Sequence, residues 1–272
     1  MEKVDSLIKE GNTLLNSWSW FNPYKDERAA ELFEKAAKIC HHNNQNDKAI
    51  DLYDKALKCK IPDFEKAQIY EEKANIYSLN SLKIQDMEES YLKAIYYYES
   101  CTYFNNNLRI YKKISDYFYN KEIWEKAEKY LDLTSQNETS SITRKSYLEK
   151  LFYTQIHMGK YNEAIETSKF ISINLESSAL RWSLTQILFK AGLCALIEDK
   201  IICKRNVEQY KLIDTNYNKR PYELLEKLIT VNDVNDFTDI ISEYNRTSKF
   251  DEIEQLLLLK IKETFTDNDS LL

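Results

Sequence analysis

Cys40, His41 and His42 are the one run in this chain with the side chains of a metal site, since thiolates and imidazoles are the usual zinc ligands. Three adjacent residues on a helix point in different directions, and no fourth ligand accompanies them, so no metal is expected there. His157 is the only other histidine. The sequence has no glycine-rich phosphate loop and no GxSxG elbow, which leaves an enzyme only scattered carboxylates and lysines, groups that ordinarily form the solvated faces of helices. The chain is therefore read as a non-enzyme with no cofactor and no metal, whose chemistry is recognition.

Three features bear on what it recognises. A set of cations, Arg109, Lys112, Lys113, Arg144, Lys145, Lys150, Arg181, Lys190 and Arg220, stands against a formal net charge of −6. Gathered on one concave face, they would attract an acidic partner locally despite the overall sign, with a strong dependence on salt. Nucleic acid fits poorly, because the balance is acidic and no basic run or known module is present. The second feature is Trp18-Ser-Trp20-Phe21-Asn-Pro23-Tyr24, an aromatic loop that Pro23 separates from the helix beginning near Asp26. Tryptophan and tyrosine suit the interface of a bilayer, so Trp18, Trp20 and Phe21 are candidates for weak, reversible membrane contact, the alternative being a cap on the first helix pair. The third is the end of the chain, where Glu263-Thr-Phe265-Thr-Asp267-Asn-Asp269-Ser-Leu271-Leu272 follows a leucine-rich helix and reads as an acidic, mobile tail.

The elements that carry these residues are helices. Ala36, Ala56, Ala74 and Ala94 recur at intervals of 20, 18 and 20 residues, each in a segment apolar with helical period. Ala29, Leu32, Phe33, Ala36 and Ala37 form one stripe, and Ala49, Ile50, Tyr53, Ala56 and Leu57 repeat it. A third stripe runs through Tyr70, Ala74 and Tyr77, and a fourth through Tyr91, Ala94, Ile95 and Tyr98. Trp124-Glu-Lys-Ala127 and Tyr161-Asn-Glu-Ala164 each open a helix after a turn, 37 residues apart, which is close to two steps of one helix plus one turn. Only 3 glycines and 3 prolines interrupt 272 residues, too few for many hairpins of strand. An all-α stack of antiparallel helices meeting at alanine is expected, with no linker dividing it.

The five cysteines, Cys40, Cys59, Cys101, Cys194 and Cys203, are dispersed and odd in number, which suits buried thiols in a reducing cytosol. In that setting the glycosylation patterns Asn137-Glu-Thr139 and Asn245-Arg-Thr247 mean little. The opening Met1-Glu-Lys-Val-Asp is acidic where a leader would be basic then apolar, and no apolar run of about 18 residues exists to span a bilayer.

Leu180-Arg-Trp-Ser183, Phe189-Lys-Ala-Gly-Leu-Cys194, Ser242-Glu-Tyr244 and Leu259-Lys-Ile-Lys262, followed by the acidic tail and its leucine, resemble in register the soluble NSF attachment proteins of alpha/beta type. The resemblance covers nearly the whole chain. It implies a tetratricopeptide-like (TPR-like) helical-hairpin solenoid, a twisted sheet of antiparallel helices over 1–175, with a continuous C-terminal helical bundle over 176–262 and a flexible tail over 263–272. It also implies an adaptor that wraps the SNARE four-helix bundle and recruits and stimulates the AAA ATPase NSF, cytoplasmic and peripherally associated with membranes.

Carried over by position, the SNARE-facing cations fall on Arg109, Lys150 and Arg220, with Arg181 and Lys190 nearby. One family lysine falls on Ser146, with Lys145 as a neighbouring substitute, and another falls on Thr185. The NSF-facing acids fall on Asp199 and Asp233, and the stimulating leucine on Leu271, beside Leu272. A gamma-type relative, or a peptide-binding scaffold of the tetratricopeptide kind with no ATPase partner, is the alternative.

Overall fold

A computed structural model describes residues 2–17, 23–173, 183–214 and 219–269 of the chain; for 104 and 266–269 it describes the backbone alone. Among the described residues there are fourteen α-helices, one short 3-10 turn and no strand. The chain divides into two compact units, Met1–Ile114 and Ser115–Leu272.

The first unit holds α1 (Glu2–Asn16), α2 (Lys25–His42), α3 (Asn46–Leu57), α4 (Asp63–Tyr77) and α5 (Ile84–Ser100), with the larger part of α6 (Phe104–Asn120). Neighbours in sequence are neighbours in space: α1 packs on α2, α2 on α3, α3 on α4 and α4 on α5. The alanines are the reason these backbones approach so closely. Ala29, Ala36, Ala37, Ala49, Ala56, Ala74 and Ala94 are all fully buried, and a methyl group keeps neighbouring helices near the short end of the usual separation. Phe33, Tyr53, Tyr91, Ile95 and Tyr98 fill the spaces between them. The stripe through Tyr70 and Tyr77 is displaced, because α4 is enclosed on two sides. Its fully covered residues are Ala67, Ile69, Glu71, Lys73, Ala74 and Ile76, while the two tyrosines stay half-buried.

The second unit continues with α7 (Trp124–Asn137), α8 (Ser141–His157) and α9 (Tyr161–Ile173), then α10 (Leu184–Glu198), α11 (Lys200–Ile213), α12 (Arg220–Thr230), α13 (Val234–Asn245) and α14 (Glu252–Asp269). Packing follows chain order up to α10, which meets α9, α11, α12 and α14 together and so becomes the axis of a bundle. Its sequence fits that position, with Leu184, Ile187, Leu188, Phe189, Leu193 and Leu196 covered on all sides. At Gly192 a Cβ would lie 2.3 Å from Leu225 Cδ1 of α12, so the absent side chain is what lets α12 settle against the axis.

One turn geometry recurs. After α2, α5, α6 and α8 the chain enters the left-handed region at Asn44, Thr102, Glu122 and Gly159. Each turn closes with the same two backbone bonds, as in Gly159 N–H to Ile156 O and Lys160 N–H to Gln155 O. This is a Schellman ending, and only one of the four uses glycine. Ala49, Ala127 and Ala164 follow three of these turns, each donating its N–H to the residue just past the left-handed position. The openers Trp124 and Tyr161 begin α7 and α9 as the spacing suggests.

The end of the chain differs from its expectation. Residues 263–269, read from sequence as the start of a flexible tail, are a continuation of α14. Phe265 packs on Phe237 with ring centres 5.5 Å apart, and the Lys200 ammonium lies 5.9 Å from its face. That apolar anchor supplies the contact which the acidic composition hid.

Candidate functional site

The cations are best understood through the carboxylates that hold them. On α4, Glu71 is buried, and a buried carboxylate must be met by donors and charge. Arg109 of α6 supplies a two-pronged contact, with Nη1 on Oε1 and Nη2 at 2.7 Å from Oε2. Lys113, one turn further along α6, reaches Oε1 at 2.8 Å and Asn75 Oδ1 at 3.2 Å. The Tyr98 hydroxyl donates to Oε2 at 3.2 Å, and the Tyr91 hydroxyl donates to Asn75 Oδ1 at 2.8 Å. Burial pushes the Glu71 carboxyl up, but Arg109 and Lys113 more than reverse this and hold it below the usual range. The carboxylate is 7% exposed while Arg109 is 48% and Lys113 38% exposed. Two cations share one anion, so the cluster keeps a surplus positive charge at the surface.

In the second unit Asp116, which is itself partly exposed, holds Lys150 one to one. The Lys150 ammonium sits 2.6 Å from Oδ1, and the Tyr147 hydroxyl donates to Oδ2 at 3.1 Å. Lys150 also lies over the rings of Tyr147 and Tyr119, at 5.0 and 5.7 Å. Burial and the neighbouring Asp116 push the Tyr147 phenol well up, so it remains a donor. Arg220, at the start of α12, is exposed; it donates to Thr247 Oγ1 and lies 5.9 Å from the centre of the Tyr244 ring. With Glu223, Leu224, Lys227 and Tyr244 it lines a recess of about 200 Å³.

Lys190 is a different kind of residue. Its side chain is 3% exposed, and the ammonium bonds Asp251 at 2.8 Å and Glu254 at 3.2 Å. Those two acids are themselves reciprocal caps: Asp251 Oδ1 accepts from the Glu254 N–H, and Glu254 Oε2 accepts from the Asp251 N–H, at 2.9 and 3.0 Å. One buried ammonium thus fastens the capping box of α14 onto α10. Burial lowers the Lys190 pKa, but the two acids outweigh it and raise it on balance. A larger cavity of about 530 Å³ opens beside it, with Tyr153, Phe189, Pro221, Tyr244 and Asp251 in its walls.

A model of the family described as "Soluble NSF attachment protein, SNAP" matches residues 2–266. The chain belongs to the soluble NSF attachment protein family. It is 24% identical over 277 residues to a protein of Vitis vinifera named alpha-soluble NSF attachment protein, an alignment covering 97% of this chain and 94% of that one. The vesicular-fusion protein SEC17 of Komagataella phaffii is 25% identical over 287 residues, covering 99% and 95%. A probable sec17 homologue of Schizosaccharomyces pombe reaches 30% over 139 residues, about half of each chain.

Within this family frame the carried-over residues separate. Arg109, Lys150 and Arg220 present charge to solvent. Lys190 does not, because Asp251 and Glu254 enclose it, so its assignment as a contact residue is corrected to a structural one. Lys145 is likewise buried, 2.6 Å from Ser183 Oγ and 3.2 Å from Glu149, and does not replace the missing charge at Ser146, which is exposed. Thr185 is buried and donates to Asp214, which also accepts from Tyr222, so a hydroxyl network stands where the resemblance implies a lysine.

Asp199 and Asp233 are N-caps: Asp199 Oδ1 accepts from Ile201 and Ile202 N–H, and Asp233 Oδ1 from Asn235 and Asp236 N–H. Both remain exposed. Trp18, Trp20, Phe21, Arg181, Leu271 and Leu272 lie outside the described residues. His41 bonds Asn46 Oδ1 through Nδ1, and His157 stacks on Trp124 at 4.5 Å. Among the described residues no helix is long and apolar enough to cross a membrane.

Sequence reasoning missed Glu71, Asp116, Asp251 and Glu254. The Asp-x-x-Glu spacing of Asp251 and Glu254 was a readable capping-box signal; nothing local marks the other two. Replacing Lys190 by Met should lower unfolding free energy by about 3 kcal/mol, the cost of stranding the buried Glu254 carboxylate. Chemical denaturation measures it, and a loss within error of zero would contradict the buried clasp.

Proposed function

We propose that this chain is an adaptor that binds assembled SNARE four-helix bundles and brings to them an NSF-type AAA ATPase, whose activity it stimulates. Family membership over residues 2–266 supports the reading. The observation that carries it is the set of exposed or half-exposed cations, Arg109, Lys113, Lys150 and Arg220, held in place on a chain whose net charge is −6. Fixed positive charge on an acidic protein selects an acidic partner by position. It speeds encounter and sets orientation more than it adds raw affinity. No catalytic role is proposed for the chain itself, since its part is to bring two other assemblies together.

On this reading, reversing charge at Arg109, Lys150 and Arg220 together reduces capture of the assembled bundle by about tenfold or more at moderate salt, as several charge contacts are lost. Helicity by circular dichroism stays unchanged. Undiminished capture would remove these cations from the interface.

The ATPase end is assigned to Asp199, Asp233 and Leu271. Asparagine caps a helix about as well as aspartate, so Asp199→Asn and Asp233→Asn remove charge while leaving α11 and α13 capped. The double variant and Leu271→Ala should each lower NSF stimulation without weakening bundle capture. Full stimulation by the asparagine variant would reduce both aspartates to caps.

Trp18, Trp20 and Phe21 are assigned to transient contact with lipid. Liposome flotation should decline when all three become serine; equal flotation supports the capping alternative.

A further inference from the structure

The half-exposed cations on α6 and α8 share an arrangement. In each unit a carboxylate on the helix two before, joined by a tyrosine hydroxyl, grips the cation at its inner side. In the first unit these are Glu71 and Tyr98 on Arg109 and Lys113; in the second they are Asp116 and Tyr147 on Lys150. The carboxylates are separated from their cations by 38 and 42 residues in the first unit and 34 in the second, so these are tertiary contacts and not the incidental pairs of one helix face. Neither Glu71 nor Asp116 has been given a role in binding.

We propose that Glu71 and Asp116 are positioning residues for an acidic partner: each orients its cations outward as a preformed site without touching the partner itself. The proposal rests on the SNARE-binding reading above. Arg109 carries five donors in a rigid fork, and Glu71 holds it by the two terminal nitrogens, so the plane of the guanidinium is set before a partner arrives. Lys113 would otherwise be a flexible point charge. Its ammonium is tied to Glu71 and Asn75, which leaves its direction fixed as well. Lys150 is constrained by Asp116 and by two aromatic rings. Long side chains lose rotamer freedom on forming an interface, and a cation already immobilised has less to lose.

This makes a prediction opposite in sign to that of the bare electrostatic field. Glu71→Gln and Asp116→Asn each delete a negative charge beside cations meant for an acidic partner. If the field alone matters, both variants bind an assembled four-helix SNARE bundle more tightly. If the carboxylates position the cations, both bind more weakly, Glu71→Gln by about tenfold, mainly through faster dissociation.

The experiment is surface plasmon resonance of the full chain against the assembled bundle. It compares the wild type, Glu71→Gln, Asp116→Asn, Arg109→Ala/Lys113→Ala, and the triple variant combining Glu71→Gln with that pair. Thermal unfolding is recorded for each. Asp116 is 39% exposed, so its variant tests the idea without disturbing a buried site.

Weaker binding by both single variants, with no further loss when Glu71→Gln is added to Arg109→Ala/Lys113→Ala, is the expected result. The two sides of a buried pair also couple through stability, so the binding comparison is made at a temperature where thermal unfolding shows every variant folded. Equal or tighter binding by Glu71→Gln and Asp116→Asn, while Arg109→Ala/Lys113→Ala weakens it, overturns the positioning role alone. Unchanged binding by Arg109→Ala/Lys113→Ala overturns it together with the placement of these cations at the interface.

Discussion

A charge that folding removes from water must meet its counter-charge, and in this chain that requirement decides which cations remain for a partner. Glu71, buried on α4, is met by two cations from α6 and leaves both partly in solvent. Lys190, buried on α10, is met by two carboxylates from the start of α14 and is consumed by them. The first arrangement yields an oriented surface charge and the second a fastening. Residue type alone does not separate them, because arginine and lysine serve in either.

The fastening has a structural consequence at the end of the chain. Helix α14 begins at the Asp251–Glu254 capping box, which Lys190 holds, and continues to Phe265, which Phe237 and Lys200 hold. Buried Leu257, Leu258 and Ile261 attach the turns between these points to the bundle around α10. A helix secured at both places delivers the residues beyond it from a fixed origin. That suits a segment whose proposed task is to reach an ATPase.

Most of the helical stack was legible in the sequence because its signals are local. Ala36, Ala56, Ala74 and Ala94 lie where backbones meet, and Trp124 and Tyr161 open helices that a few neighbouring residues define. Other features escaped for equally physical reasons. The left-handed turns at Asn44, Thr102 and Glu122 lack the glycine that usually marks them. Helix α4 buries two sides, so its stripe carries no single period. The acidic composition of 263–269 pointed to a mobile tail, whereas one aromatic residue, Phe265, holds that turn to the bundle. At the candidate site the cations could be named from sequence, but the carboxylates that hold Arg109, Lys113, Lys150 and Lys190 lie 34 to 64 residues away along the chain, where spacing has no meaning. Lys190 was therefore grouped with Arg109 although the two do opposite things.

Amine-reactive labelling with mass-spectrometric readout, with and without the assembled SNARE bundle, tests this division most directly. In the free protein Lys113 and Lys150 should label readily while Lys145 and Lys190 stay unmodified, and the bundle should shield Lys113 and Lys150 only. Labelling of Lys190 at the rate of an exposed lysine, lost when the bundle binds, would contradict the account.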